Sequence, residues 1–234
     1  NCPDVSEYYR RVRVGVEGNI EWGLLVNGVT VNDTRFFRHQ PSFDFVTAWL
    51  AFRKQHENSQ PQTSIDVWSM GCASGEEAYS LAMTLENFKA GSGLHFYYGI
   101  TATDICKTAI AEAEKAEFSA RAVETVSPEN RAMYFDSADK SFRVKQTICE
   151  RICFTCDNVL AIADMPVGSM DIIFCQNMLI YFQSWRREEI LDALAAHLKP
   201  GGVLVIGLGE VIDWRNPLVE RCEDRQVQAY QRVA

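Results

Sequence analysis

Short continuous apolar runs alternate with helical apolar stripes along the middle of the chain, and that alternation predicts an α/β fold on a mostly parallel sheet. Ile65, Val67 and Trp68 form a first run that stops at Gly71. A turn of small residues, Gly71-Cys72-Ala73-Ser74-Gly75, then leads into a stripe with apolar positions at Ala78, Leu81, Ala82, Leu85 and Phe88. Strand, glycine turn and helix in that order make the first unit of a nucleotide-binding sheet. Leu94 to Thr103 predicts a second strand ending at Asp104, and 107–116 the helix that returns from it. Met170 to Cys175 is almost wholly apolar, as in a parallel strand covered on both faces. A helix over 186–198 buries Ile190, Leu191, Leu194 and Leu198, stops at Lys199-Pro200-Gly201-Gly202 and gives way to a strand from Val203 to Ile206.

The regular alternation covers only part of the chain. Residues 1–30 predict a polar helix over 6–14 and a short one over 21–26, the end of something larger; the main domain is expected over 31–234. A helix over 43–56 carries Phe45, Trp49 and Phe52 on one side, and 58–64 is a polar loop. A short helix runs from Ser127 toward Phe135. Between about 135 and 156 polar and apolar positions alternate around Phe142, Val144, Ile148 and Ile152. That stretch leaves too little chain for a parallel crossover, so a small antiparallel insertion is expected. The tail over 220–233 predicts a closing hairpin.

The chemistry of the glycine turn narrows the ligand. A pyrophosphate site keeps a helix start free of negative charge, because the amides and dipole there attract anions. Here Glu76 and Glu77 occupy it, which points to a ligand with hydroxyls and a positive charge. Asp104, at the end of the next strand, is placed to accept ribose hydroxyls, as an acid does in dinucleotide folds. Net charge is −8, which argues against a nucleic-acid partner. No apolar run approaches the ~20 residues of a membrane span, and no secretory leader is visible, so a cytoplasmic protein without membrane insertion is expected. Cys149, Cys153 and Cys156 cluster, but no second C-x-x-C pair or histidine companion completes a metal site. No metal is expected, and reduced thiols packed as small apolar residues account for them.

Six segments in order resemble the CheR-type chemotaxis receptor methyltransferases over residues 5–234. They are Asn32–Arg38 with its FFR, WSMGCASGEEAYSLAMTL, Thr103-Asp104-Ile105, DNVL at 157–160, FCQNMLIYF at 174–182 and LKPGG at 198–202. The spelling VNDTRFFRH is similar to that of the branch tied to type IV pilus chemotaxis-like systems. The resemblance implies a Rossmann-like class I S-adenosylmethionine methyltransferase sheet with a small antiparallel β insertion and a remnant of an N-terminal helical domain. It implies methyl transfer from S-adenosyl-L-methionine to glutamates of methyl-accepting chemoreceptors, leaving S-adenosyl-L-homocysteine. The partner it implies is the cytoplasmic domain of such a receptor.

By the same resemblance, the cofactor-contacting positions are Asn32, Thr34, Arg38, Gly71, Glu76 (with Glu77 the adjacent candidate), Asp104, Asn158, Val159, Gln176 and Asn177. Arg38 and Tyr181 match the family's residues nearest the reacting sulfur and methyl group. Two positions depart from the family: Gln176 stands where arginine is frequent, and Cys106 where a second acid is common. Ordinary roles stand beside the functional ones. The ordinary reading of Arg38 is a surface ion-pair partner, of Tyr181 a sheet-edge aromatic, of Asp104 a helix cap and of Asn177 a loop-backbone partner, and in each case the functional reading is preferred. The basic run Arg10, Arg11 and Arg13 either meets an acidic receptor helix or is a solvated helix face. The insertion either docks a receptor tail by strand addition or is only a structural lid. At the level of function, the alternative is a non-catalytic S-adenosylmethionine-binding sensor or scaffold.

Overall fold

The computed structural model describes residues 4–56, 64–138, 140–164 and 166–233. The loop expected over 58–64 therefore lies outside the described residues up to position 63. Two helices, α1 (Val5–Val12) and α2 (Gly15–Val29), precede α3 (Gln40–His56). The opening unit follows as β1 (Ser64–Met70) and α4 (Glu76–Ser92), then β2 (Tyr97–Asp104) and α5 (Lys107–Lys115). Short elements come next: β3 (Glu117–Ser119), α6 (Pro128–Tyr134), β4 (Phe135–Ala138), β5 (Ser141–Val144), α7 (Gln146–Cys149) and β6 (Ile152–Cys156). The chain ends with β7 (Met170–Cys175), α8 (Ser184–His197), β8 (Leu198–Ile206), β9 (Val219–Arg221) and β10 (Gln228–Arg232). Among the described residues no helix is long and apolar enough to cross a membrane.

The main sheet has the order β6-β2-β1-β7-β8-β10-β9. β6 through β8 run parallel, and β10 pairs antiparallel with both β8 and β9, which makes the expected closing hairpin. The chain winds outward from β1 to β2 and β6, then crosses back to β7 and winds the other way. The strand order thus reverses between β1 and β7, and the crevice at their carboxyl ends is where open α/β sheets bind ligands.

Alternation along each strand divides the core between the two faces. Val67, Phe174, Val203 and Val205 join Phe43 of α3 and Leu81 and Leu85 of α4 in one cluster. Trp68, Ile173 and Leu204 join Ile190, Leu191 and Leu194 of α8 in the other. The turn between β1 and α4 requires glycine. Gly71 and Gly75 have φ of +76° and +95°. A Cβ on Gly75 would also lie 2.9 Å from the Ala113 Cβ and 3.2 Å from the Phe154 ring.

The insertion is smaller and differently built than its sequence pattern predicts. The antiparallel sheet has the order β3-β5-β4, so it recruits 117–119 and ends at Val144. Residues 152–156, expected within it, form a parallel edge strand of the main sheet, with Ile100 opposite Ile152 and Asp104 opposite Cys156. The crossover that carries them begins at α5, long before residue 135, and so has ample length. Cys149 lies in α7 rather than on a strand with Cys153, and both Cys153 and Cys156 are exposed. Packing does not explain those two thiols. The second N-terminal helix also runs well beyond the expected 21–26.

At the opposite end of the sheet a polar clamp joins four elements, α3, β1, β7 and β8. Asp171, fully buried on β7, accepts from Arg53 at 3.0 Å, from Lys199 at 2.7 Å and from the Asp66 amide at 2.9 Å. Lys199 also bonds Asp66 at 2.7 Å. Removing one partner of a buried network leaves the others desolvated and unmatched. Asp171→Ala should therefore lower unfolding free energy by about 3 kcal/mol in urea titration, with the distant carboxyl-end crevice unaffected.

Candidate active site

A cavity of about 300 Å³ opens at the carboxyl ends of β1, β2 and β7 and is closed on one side by residues 29–38. Its size is at the lower end for small-molecule sites. The segment 32–38 is held from behind by its two aromatics. Phe36 is fully buried and meets the Phe118 and Phe135 rings edge-on, at 4.8 and 5.5 Å between centroids. Phe37 packs on Phe43 at 5.1 Å, and its amide donates to the Ser80 hydroxyl at 3.0 Å. With Phe36 and Phe37 anchored, Asn32, Thr34 and Arg38 line the cavity. The small antiparallel sheet thus supports the site through Phe118 and Phe135.

Asp104 organises the floor. One carboxylate oxygen accepts from the Ala73 amide at 2.9 Å, the other from the Cys106 amide at 2.8 Å. The Gly71 and Cys72 amides in turn donate to the Thr103 carbonyl at 2.8 and 3.0 Å. Glycine turn and second strand end are therefore one unit, with the aspartate fixed between them. Cys106, the departure from the family pattern, is buried; it accepts from the Asn32 amide at 3.4 Å and donates to Asn27 at 3.1 Å. A thiol joins the N-terminal segments to the end of β2 where an acid was expected.

Of the two helix-start acids, Glu77 lines the cavity and Glu76 does not. Glu76 is buried and accepts from the Ser74 hydroxyl at 2.8 Å. Glu77, one residue further round the helix, accepts from Ser69 at 2.7 Å. Burial pushes the Glu77 carboxyl up to about 8; the Ser69 bond opposes this, Glu210 adds to it and Arg38 opposes it. A carboxylate so desolvated is suited to an incoming cation.

Gly71, Asp104, Asn158, Val159, Gln176, Asn177 and Tyr181 also line the cavity. Gln176 is braced: its amide nitrogen donates to Ser42 at 2.8 Å and to the Ile206 carbonyl at 3.3 Å. Asn177 has φ of +60°, a left-handed conformation that asparagine tolerates better than most residues. Tyr181 is 59% exposed at the mouth. Arg38 is held there by Asp33, donating to its carbonyl at 2.5 Å with a looser carboxylate contact at 3.6 Å. Cys72 and Cys175 lie under the floor, and burial first, then nearby carboxylates, raises both thiols far above the range where thiolates form.

Sequence reasoning missed Asp157, Ile105 and Met178 in the lining, and Glu210 beneath it. Glu210 had a readable signal, an acid in the turn just past β8 at the same sheet edge as Asp104. Its carboxylate accepts from the Gly207 and Ile180 amides at 2.7 and 3.3 Å.

The sheet order and the switch-point cavity lined by Glu77 and Asp104 are those of an open α/β nucleotide-binding fold. Comparison with known proteins gives the family. The description "CheR methyltransferase, SAM binding domain" matches residues 32–228. Chemotaxis protein methyltransferase 2 of Vibrio cholerae is 33% identical over 87% of this chain and 70% of its own length. Chemotaxis protein methyltransferase 1 of the same organism is 35% identical over 79% of this chain and 66% of its own. Among solved structures, magnesium protoporphyrin IX methyltransferase from Synechocystis PCC 6803 with bound SAM aligns over 98% of this chain and 92% of that one, at 15% identity and a TM-score of 0.42. The chain belongs to the CheR methyltransferase family, and its cofactor is S-adenosylmethionine.

Proposed function

We propose that the cavity binds S-adenosylmethionine and directs its methyl group onto glutamate carboxylates in the cytoplasmic domain of methyl-accepting chemoreceptors, forming methyl esters. The observation that carries this is the convergence of Glu77, Asp104, Arg38 and Tyr181 on one cavity at the sheet's switch point. When bound, S-adenosylmethionine supplies the electrophilic methyl carbon. Glu77 meets its ammonium, a match of sign at a desolvated carboxylate. Asp104, already fixed by two amides, keeps lone pairs for ribose hydroxyls. Asn158 and Val159 flank the adenine, and Gln176 and Asn177 contact the cofactor from the end of β7. With the cytoplasmic domain of a receptor as the substrate, this reading has the protein act on the cytoplasmic side of the membrane. The spelling VNDTRFFRH favours the pilus-type branch of chemotaxis-like signalling.

The acceptor glutamate has an ordinary pKa of about 4.3 and is ionised at neutral pH, so no general base is required. The protein's work is alignment and removal of water from the nucleophile. Arg38 orients the incoming carboxylate. Its prior contacts with Asp33 partly match its charge, which limits ground-state binding that would slow attack. Tyr181 supplies a hydroxyl and a ring wall beside the methyl.

Tyr181→Phe should lower kcat about tenfold with cofactor affinity unchanged; an unchanged kcat would reduce the hydroxyl to packing. The function itself is tested by incubating the protein with methyl-labelled cofactor and receptor cytoplasmic fragments. Alkali should release the label as methanol. Label that stays on the fragment in alkali, or never reaches it, contradicts the proposal.

A further inference from the structure

The loop after β7 carries Asn177 and Tyr181 with little regular structure of its own, only a short 3-10 turn at Leu179–Tyr181. It nevertheless holds Asn177 left-handed and presents Tyr181 at the cavity mouth. Two side chains outside the loop bracket it. From below, the buried Glu210 carboxylate accepts the Ile180 amide at 3.3 Å. Its other oxygen accepts the Gly207 amide at 2.7 Å. The approach is so close that a Cβ on Gly207 would lie 2.5 Å from that oxygen.

From the outer side, Arg187 of α8 donates to the Phe182 carbonyl at 2.7 Å and to the Ile180 carbonyl at 3.3 Å. The same guanidinium donates to the Glu210 backbone carbonyl at 2.7 Å, so the two brackets are tied together. A carboxylate that bonded only its own turn would be a local β8 cap. Reaching the Ile180 amide, thirty positions earlier in the chain, is what a cap does not need.

We propose that Glu210, braced by Arg187, is the positioning residue that fixes the Asn177–Phe182 loop in its ligand-facing geometry. The functional consequence rests on the S-adenosylmethionine reading above. Glutamine at 210 keeps one acceptor oxygen but turns an NH2 donor toward backbone N–H donors, so it cannot replace the carboxylate.

The test compares wild type, Glu210→Gln and Arg187→Met by amide hydrogen exchange on the unliganded protein and by calorimetry with S-adenosylhomocysteine. Amides 177–182 should exchange at least about tenfold faster in both variants, while those of β7 and β8 stay protected. S-adenosylhomocysteine should bind about 10- to 100-fold more weakly to Glu210→Gln. Wild-type loop protection with affinity within about twofold would overturn the proposal, as would protection lost uniformly across the sheet. Wild-type protein that fails to bind S-adenosylhomocysteine would instead overturn the functional reading, and the exchange comparison would still decide whether Glu210 holds the loop.

Discussion

Arg38→Ala is expected to lower kcat about 100-fold, equivalent to about 2.7 kcal/mol of barrier, with S-adenosylhomocysteine affinity changed less than about threefold. The asymmetry follows from where the guanidinium stands. It lines the cavity, held by Asp33 and partly open to solvent, where the proposed reading brings in the acceptor carboxylate. An interaction that aligns the nucleophile acts on kcat, whereas one that grips the cofactor equally before and during transfer acts on binding. Steady-state turnover and calorimetry on the same preparation separate the two. Full turnover with intact binding would return Arg38 to the status of a surface ion-pair partner. Arg38→Lys should rescue only part of the loss, because lysine keeps the charge but lacks the planar fork that orients a carboxylate.

The second large effect concerns the two adjacent acids. Glu77→Gln should weaken cofactor binding about 10- to 100-fold, the range for hydrogen bonds to charged groups. Glu76→Gln, whose carboxylate is turned to Ser74, should change it less than about threefold. The pH dependence gives an independent signature. In the free protein burial holds the Glu77 carboxyl near 8, above its ordinary 4.5. A cationic ligand binds the ionised form, so binding near neutrality should release a proton. Below pH 8 affinity should fall as pH falls, by up to about tenfold per unit, and level off above it. Glu77→Gln removes that slope. The same shift has a stability consequence of defined sign. A raised carboxyl pKa in the folded state disfavours folding as pH rises from the unfolded value toward 8, and cofactor binding offsets this. A wild-type affinity independent of pH between 6 and 9 would contradict the ammonium assignment.

The parts legible in sequence were those set by local periodicity and by short-range turn chemistry. β1, the glycine turn, α4 and β7 each announce themselves within a few residues, and Asp104 stands at a strand end. What failed needed three-dimensional knowledge. The apolar pattern of 152–156 suits an antiparallel strand and a parallel edge strand equally well, and only the true start of the crossover at α5 distinguishes them. Glu76 and Glu77 are neighbours on a helix, about 100° apart, so spacing from the strand end does not say which one faces the cavity. Gln176 lines the cavity as expected, but its side chain also fastens α3 to β8, a tertiary role invisible in a motif. Glu210 acts on a loop far from it in sequence, and no local pattern encodes that contact.

Mass-spectrometric mapping of the acceptor decides whether this cavity sends a methyl group to a glutamate carboxylate. Receptor cytoplasmic fragments incubated with wild-type protein and S-adenosylmethionine should carry one added methyl on glutamate side chains, and none when Arg38→Ala protein is used for the same short interval. A methyl found on nitrogen or sulfur, or fragments left unmodified by protein that demonstrably binds the cofactor, would contradict the account.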